Sequence, residues 1–202
     1  MKLIIMGPIG SGKGTQAKIL AEKFGLTHLS TGDIMRKHIK DETEIGKKIK
    51  SILDSGGYVD DTLTTELLKQ SLTDRFILDG YPRTNAQVSL LEGLTSIDKV
   101  IFLEADEKEV IERISSRLSC LECGKMYNLK DGVDICTCGN KLVQREDDKK
   151  ETIEKRLAIF KKETLPIAKI YEDKGLLVKV SGEDEITAVT EVLISVLNEV
   201  SA

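Results

Sequence analysis

The chain reads as an α/β protein with a five-stranded parallel sheet in the middle layer of a three-layer α/β/α sandwich. Three observations predict this. Short apolar runs bounded by turn residues alternate with longer segments of helical spacing. The runs are apolar at successive positions, which fits strands covered on both faces. The first run also ends in a glycine-rich turn that opens a helix.

The predicted strands are Lys2–Met6, Thr27–Ser30, 75–78, Lys99–Glu104 and 176–180. Between them, Ala17, Leu20, Ala21 and Phe24 share one helical face, as do Val110, Ile111, Ile114 and Leu118. Two stretches, 30–59 and 117–148, break the alternation and are richer in charge and polar turn residues. Both read as insertions over the sheet, leaving 1–29, 60–116 and 149–202 as the main domain. Asp131-Gly132 in the second insertion predicts a hairpin turn. Pro166 predicts a restart or kink in a helix.

With 202 residues, 40% hydrophobic and 32% charged, the chain is long enough for one good core, and one main domain with insertions is expected. The net charge of -4 argues against a general nucleic-acid binder, which needs a basic surface. A phosphate site here must use local positive charge. The apolar run after Lys2 is too short for a signal-peptide core or a membrane span, so the expectation is a cytoplasmic protein with no membrane partner.

Gly7-Pro-Ile-Gly-Ser-Gly-Lys-Gly-Thr-Gln16 sits between the first strand and the first helix. That placement makes it a phosphate loop. Glycines let the main chain approach a phosphate, successive N–H groups form an anion nest, and Lys13 adds a full charge. Gly14 follows Lys13, so the hydroxyl residue Thr15 comes one place later than in the general pattern.

Arginine is scarce. Only seven of the 30 basic residues are Arg: 36, 75, 83, 113, 117, 145 and 156. Such sparing use fits residues reserved for phosphoryl oxygens, although surface ion pairs would explain any one of them. Asp79 ends an apolar strand at the carboxyl edge of the sheet, where open α/β folds bind ligands. It suits water-mediated magnesium binding, and a plain turn cap is the alternative.

Cys120-x2-Cys123 and Cys136-x-Cys138 carry all four cysteines in one segment. Four thiolates from two turns are the pattern of a structural zinc site, with a disulfide or redox pair as the alternative. His28 and His38 are isolated and receive no role.

Taken in order, the phosphate loop, Leu29-Ser-Thr-Gly-Asp33, Asp79-Gly-Tyr-Pro-Arg-Thr84 with Gln87, and Gln144-Arg-Glu-Asp-Asp148 followed by Arg156 resemble the adenylate kinases over nearly the whole chain. The resemblance implies a P-loop kinase-like fold, with an AMP-binding insertion and a lid. It implies transfer from Mg-ATP to AMP giving two ADP, by a monomer. By motif position, Gly10, Ser11, Gly12, Lys13, Gly14 and Thr15 would hold ATP phosphates. Arg113 and Arg117 would face ATP, with Met126, Tyr127 and Asp184 near its adenine. Thr31, Arg36, Gly57, Tyr58, Val59, Gly80, Tyr81, Pro82, Arg83 and Gln87 would hold AMP. Arg145 and Arg156 would close on the phosphates, making Lys13, Arg83, Arg117, Arg145 and Arg156 the catalytic set. Asp79 would serve magnesium, and Cys120, Cys123, Cys136 and Cys138 zinc. Thr31 and Gln87 favour AMP over UMP or CMP. A pyrimidine monophosphate kinase on the same scaffold and a nucleotide sensor without turnover are the competing readings.

Overall fold

The computed structural model describes residues 1–200. β1 (Lys2–Met6) leads through α1 (Lys13–Phe24) to β2 (Thr27–Ser30), then α2 (Thr31–Lys40), α3 (Glu44–Asp54), α4 (Asp61–Lys69) and β3 (Phe76–Asp79). α5 (Asn85–Glu92), β4 (Lys99–Glu104) and α6 (Glu107–Ser115) follow. A small antiparallel unit comes next, made of β5 (Arg117–Cys120), β6 (Met126–Asn128) and β7 (Leu142–Val143). The chain returns through α7 (Lys150–Ile159), α8 (Leu165–Asp173), β8 (Leu177–Ser181) and α9 (Ile186–Val200).

The main sheet is five-stranded and all parallel, in the order β2-β3-β1-β4-β8. Its three central strands, β3, β1 and β4, are buried on both faces, while the edge strands β2 and β8 are partly exposed. Ile4, Met6, Leu78 and Phe102 pack against α5 and α8, while Leu3, Ile5, Ile77 and Leu103 pack against α1 and α9. Alternation along the pleat separates the two sets, so a continuous apolar run serves both. β3 and β8 end one residue later than the apolar pattern implies. Asp79 pairs with Ile5 and Ser181 with Glu104, because ladder pairing uses the main chain whatever the side chain.

Helices α2 to α6 each begin on a side-chain oxygen that accepts a main-chain N–H: Ser30, Thr43, Asp60, Thr84 and Asp106. These groups satisfy donors that a helix start otherwise leaves free. α1 instead begins at Gly12, which has no side chain to do this. The connection from β1 leads to β2 on one side and that from its neighbour β4 leads to β8 on the other, and such folds hold ligands where neighbouring connections diverge.

Between α7 and α8 the chain makes a π-helical turn, Phe160–Thr164, and Pro166 lies in the first turn of α8. The restart expected at Pro166 is therefore present. The widened turn points the Thr164 hydroxyl inward, where it donates to Arg83 O at 3.0 Å and meets the Tyr58 hydroxyl at 2.9 Å.

The antiparallel unit has a core of only Leu118, Cys120, Cys136 and Leu142, with Tyr127 against it. The hairpin expected at Asp131-Gly132 is not there. Those residues close a short 3-10 helix, Leu129–Asp131, with Gly132 left-handed at φ 65°. Asn128 and the Asp131 carboxylate cap its start reciprocally, which favours the helical turn over a hairpin. The β5–β6 connection instead runs through Cys123 and Gly124.

The second core gives a direct test. Leu193 on α9 is fully buried whereas its neighbour Val192 is 49% exposed. Leu193→Ala is expected to cost about 2–5 kcal/mol in urea unfolding and Val192→Ala less than about 0.5 kcal/mol.

Candidate active site

β1 hands the chain directly to the phosphate loop. Gly7 holds φ 141°, and a Cβ there would stand 2.3 Å from Leu103 O, so only glycine brings the loop this close to β4. Gly14 faces β3, and a Cβ on it would lie 3.3 Å from Asp79 Oδ2. Glycine after Lys13 therefore keeps the space in front of that carboxylate open. Ser11 Oγ is buried in the loop with no hydrogen-bond partner, so it suits an incoming acceptor such as a phosphoryl oxygen.

Cations converge on this loop. Lys13 donates to Pro8 O at 2.6 Å. Burial pulls Lys13 down to about 7; Asp79 opposes that fall, and Arg83, Arg156 and Arg117 deepen it. Burial, with Arg36 and Arg117 nearby, pulls Arg145 down to about 9, and its Nε is buried without a partner. Sites this short of negative charge favour polyanions.

Two carboxylates make the cluster stable. Asp148 is 1% exposed and takes both Arg117 Nε, at 2.8 Å, and Arg117 Nη2. Arg156 Nη1 donates to Asp147 O at 2.9 Å and lies 2.8 Å from Asp147 Oδ2 and 3.3 Å from Asp148 Oδ1. Burial alone would raise Asp147, but the Arg156 charge, with Arg36, Arg145 and Arg117, holds it below the usual carboxylate range. The Gln144–Asp148 motif contains both aspartates but gives no sign of their role, which is to hold Arg117, 31 residues before Asp148, and Arg156, on the next helix.

A cleft beside the loop is lined by Thr31, Arg36, Gly57, Tyr58, Val59, Gly80, Arg83, Gln87 and Arg156 together. Thr31 Oγ1 and Arg83 Nε both donate to Gly80 O, at 2.9 and 2.7 Å. The Arg83 guanidinium lies over the Tyr58 ring, 5.1 Å from its centroid. Tyr81 and Pro82 stand behind the cleft, buried, and shape the turn that presents Arg83; their peptide bond is cis. The Tyr81 hydroxyl donates to Gln87 O at 3.2 Å.

His28, which received no role, places Nε2 3.4 Å from Asp79 Oδ2. Adjacent parallel strands bring the two together, and spacing along the chain gives no sign of it.

On the other side of the loop, Arg113 braces the chain itself with three of its five N–H groups. It donates to Gly182 O at 2.6 Å, Glu183 O at 3.0 Å and Glu109 Oε1 at 2.7 Å. This pins the turn that carries exposed Asp184, and a Cβ on Gly182 would be 2.5 Å from Ser11 O. Met126 Sδ accepts from Ser119 Oγ at 3.3 Å and lies 3.6 Å from Arg145 Nη2. The Tyr127 hydroxyl turns toward Cys136 Sγ, 3.4 Å away, and accepts from Thr137 N at 3.1 Å.

The four cysteine sulfurs all lie within 4.8 Å of one another, with Cys120–Cys138 and Cys123–Cys136 each at 3.5 Å. Zn–S bonds of about 2.3 Å at tetrahedral angles imply sulfur separations of about 3.8 Å, so the donor set fits such an ion. The Cys138 N–H and the Tyr127 hydroxyl pull the Cys136 thiol down to about 6. Two matching turns, Gly124 N to Cys120 O at 2.9 Å and Gly139 N to Cys136 O at 2.8 Å, present the pairs despite their unequal spacing. The tip of this unit reaches α1 through Lys18 Nζ to Gly124 O at 3.0 Å, and α2 through Lys40 to Glu122 at 2.7 Å.

A family model described as adenylate kinase matches residues 5–176. The chain belongs to the adenylate kinase family. It is therefore an enzyme, a nucleoside monophosphate kinase. It is 42% identical to the adenylate kinase of Caldicellulosiruptor saccharolyticus, covering 98% of this chain and 99% of that protein. The Petrotoga mobilis adenylate kinase is 40% identical over 98% of this chain and 97% of that protein, and the Clostridium tetani one 38% over the whole of both. These relatives give no support to a pyrimidine kinase or a sensor. Among the described residues of this kinase, no helix is long and apolar enough to cross a membrane.

Lys13 yields a pH prediction. A bound polyphosphate raises its pKa from about 7 back toward the ordinary 10.5, so binding takes up protons between those values. Affinity should fall as pH rises above about 7. Calorimetry of ATP binding at pH 8 in buffers of different ionisation enthalpy should show net proton uptake, and Lys13→Met should abolish it.

Proposed function

We propose that this kinase passes the terminal phosphoryl group of Mg-ATP to AMP, giving two ADP and keeping the three adenine nucleotides in balance. The observation that carries the reading is convergence. The phosphate loop and the cleft share one set of cations, since Lys13 feels Arg83, Arg117 and Arg156 at once.

In this reading the ATP phosphates lie on Gly10 to Thr15, at the uncapped start of α1. Two polyanions must be brought end to end, so the main task is positioning and charge neutralisation. Arg36 and Arg83 hold the AMP phosphate, whose oxygen is the nucleophile, so no side-chain nucleophile is needed. Lys13, Arg83, Arg117, Arg145 and Arg156 meet the charge spread over the transferred group. Asp79, steadied by His28, orients water on the magnesium that accompanies ATP. Arg113 acts through the 182–184 turn, fixing main chain beside the phosphate loop, with Asp184 at the adenine end. Tyr127 and Met126 offer a ring face and a thioether to that adenine, since the Tyr127 hydroxyl is engaged elsewhere.

Residues 30–59 form the AMP-binding insertion and 117–148 a lid. Both close over the reacting groups to exclude water. Exposed contacts such as Lys40–Glu122 contribute little, so the lid lifts readily. Cys120, Cys123, Cys136 and Cys138 hold a structural zinc that folds a lid whose own core is too small. The reading is of a monomer, supported by one chain supplying every residue that it assigns to the site. A cytoplasmic location belongs to the same reading, supported by four cysteines grouped as metal ligands rather than paired as disulfides.

Product analysis with Mg-ATP and AMP, CMP or UMP tests the activity. ADP from AMP is expected, with the pyrimidine acceptors poor. Arg83→Ala should lower kcat by at least about 100-fold, and unchanged turnover would remove Arg83 from the catalytic set. Metal analysis of chelator-free protein should find one zinc per chain. Stripping it should lower the melting temperature of the lid.

A further inference from the structure

The Gln87 side chain is 2% exposed and tied at both ends by the protein itself. Its Oε1 accepts from the Arg83 main-chain N–H at 2.7 Å, and its Nε2 donates to Asp61 Oδ1 at 2.7 Å. Neither partner can reverse its role, since a main-chain N–H only donates and an ionised carboxylate only accepts. Asp61 is held in turn: its Oδ2 accepts from the Thr84 hydroxyl at 2.9 Å, and that hydroxyl accepts from Gln87 N at 3.2 Å. Turning the amide over would set oxygen against carboxylate and NH2 against N–H. Two hydrogen bonds would become two repulsions.

An amide carries two hydrogens and two carbonyl lone pairs. One of each is already used, so one donor and one acceptor remain, in fixed order, for a base in the cleft that Gln87 lines. A 6-aminopurine offers an amino donor beside an N1 acceptor, which matches Oε1 and Nε2 as locked. A 6-oxopurine offers a carbonyl beside N1–H, the reverse order. A glutamine free to turn over would serve both.

We propose that Asp61 is a positioning residue that sets the purine selectivity of the acceptor site, by locking the Gln87 amide in the order that fits a 6-amino base and rejects a 6-oxo base. The proposal rests on the reading of Gln87 as the residue facing the acceptor base, and adds what fixes its choice.

The test compares kcat/KM for AMP and IMP in the full chain carrying Asp61→Leu, Asp61→Asn or Gln87→Ala, with melting temperatures alongside. Asp61→Leu removes the acceptor at similar shape and should reduce AMP-over-IMP selectivity about tenfold. Asp61→Asn keeps an acceptor oxygen and should recover part of it. A loss falling equally on both acceptors would mean that Asp61 is only structural, and overturns the proposal. Gln87→Ala separates the two layers. If it leaves selectivity intact, the Gln87 reading fails and the lock with it. If it abolishes selectivity while Asp61→Leu keeps it, the Gln87 reading stands and the lock is overturned. Should Asp61→Leu fail to fold, Asp61→Ala removes the same acceptor with less bulk, and unchanged selectivity there overturns the lock.

Discussion

The pairing of Asp147 and Asp148 with Arg117 and Arg156 is the constraint on which the site depends. Arg117 stands at the root of the small antiparallel unit and Arg156 on α7 of the main domain, so two guanidinium groups arrive from different parts of the chain. Left alone they would repel and stay solvated. Asp148, almost wholly buried, meets both, and Asp147 takes the second contact with Arg156. Removing one partner of a buried pair leaves an uncompensated charge, so the arrangement is held as a unit. Burial, with neighbouring arginines adding to it, also lowers Lys13 and Arg145 beside this pairing.

The fold supplies the rest of the geometry by simple means. Central strands buried on both faces make a rigid sheet, and its carboxyl edge presents the phosphate loop and Asp79 side by side. Every helix from α2 to α6 spends a side chain on its own start, whereas α1 starts on glycine, with its N–H groups free for an anion. The π-helical turn before α8 does similar work for the cleft, because it sends Thr164 inward to hold Arg83 O and the Tyr58 hydroxyl. The phosphate loop thus stands on the well-packed sheet, while the unit with the smallest core touches α1 and α2 through contacts at its tip.

Much of this was legible in the sequence because the signals are local. A glycine-rich turn after an apolar run, five such runs, and two closely spaced cysteine pairs each declare themselves within a few residues. The boundaries of β3 and β8 were not, since main-chain pairing continues through Asp79 and Ser181 where the apolar pattern stops. Asp131-Gly132 misled for a related reason. The dipeptide suits a left-handed turn, but the Asn128 and Asp131 caps decide that it ends a 3-10 helix. Of the residues without a sequence signal, Asp61, Asp148, His28 and Thr164 act on partners 23 or more residues away, and Asp147 acts on Arg156 across a turn that no spacing rule marks. Arg113 shows a second task that its motif position does not announce, since three of its five N–H groups hold Gly182, Glu183 and Glu109.

The most direct measurement is kcat for Asp148→Asn, taken with its melting temperature. The isosteric change removes the charge that lets Arg117 and Arg156 stand together, while the sheet and its two cores stay as they are. A fall in kcat of about 100-fold in a folded enzyme is the expected result. Unchanged turnover in that variant would contradict the claim that these carboxylates organise the site.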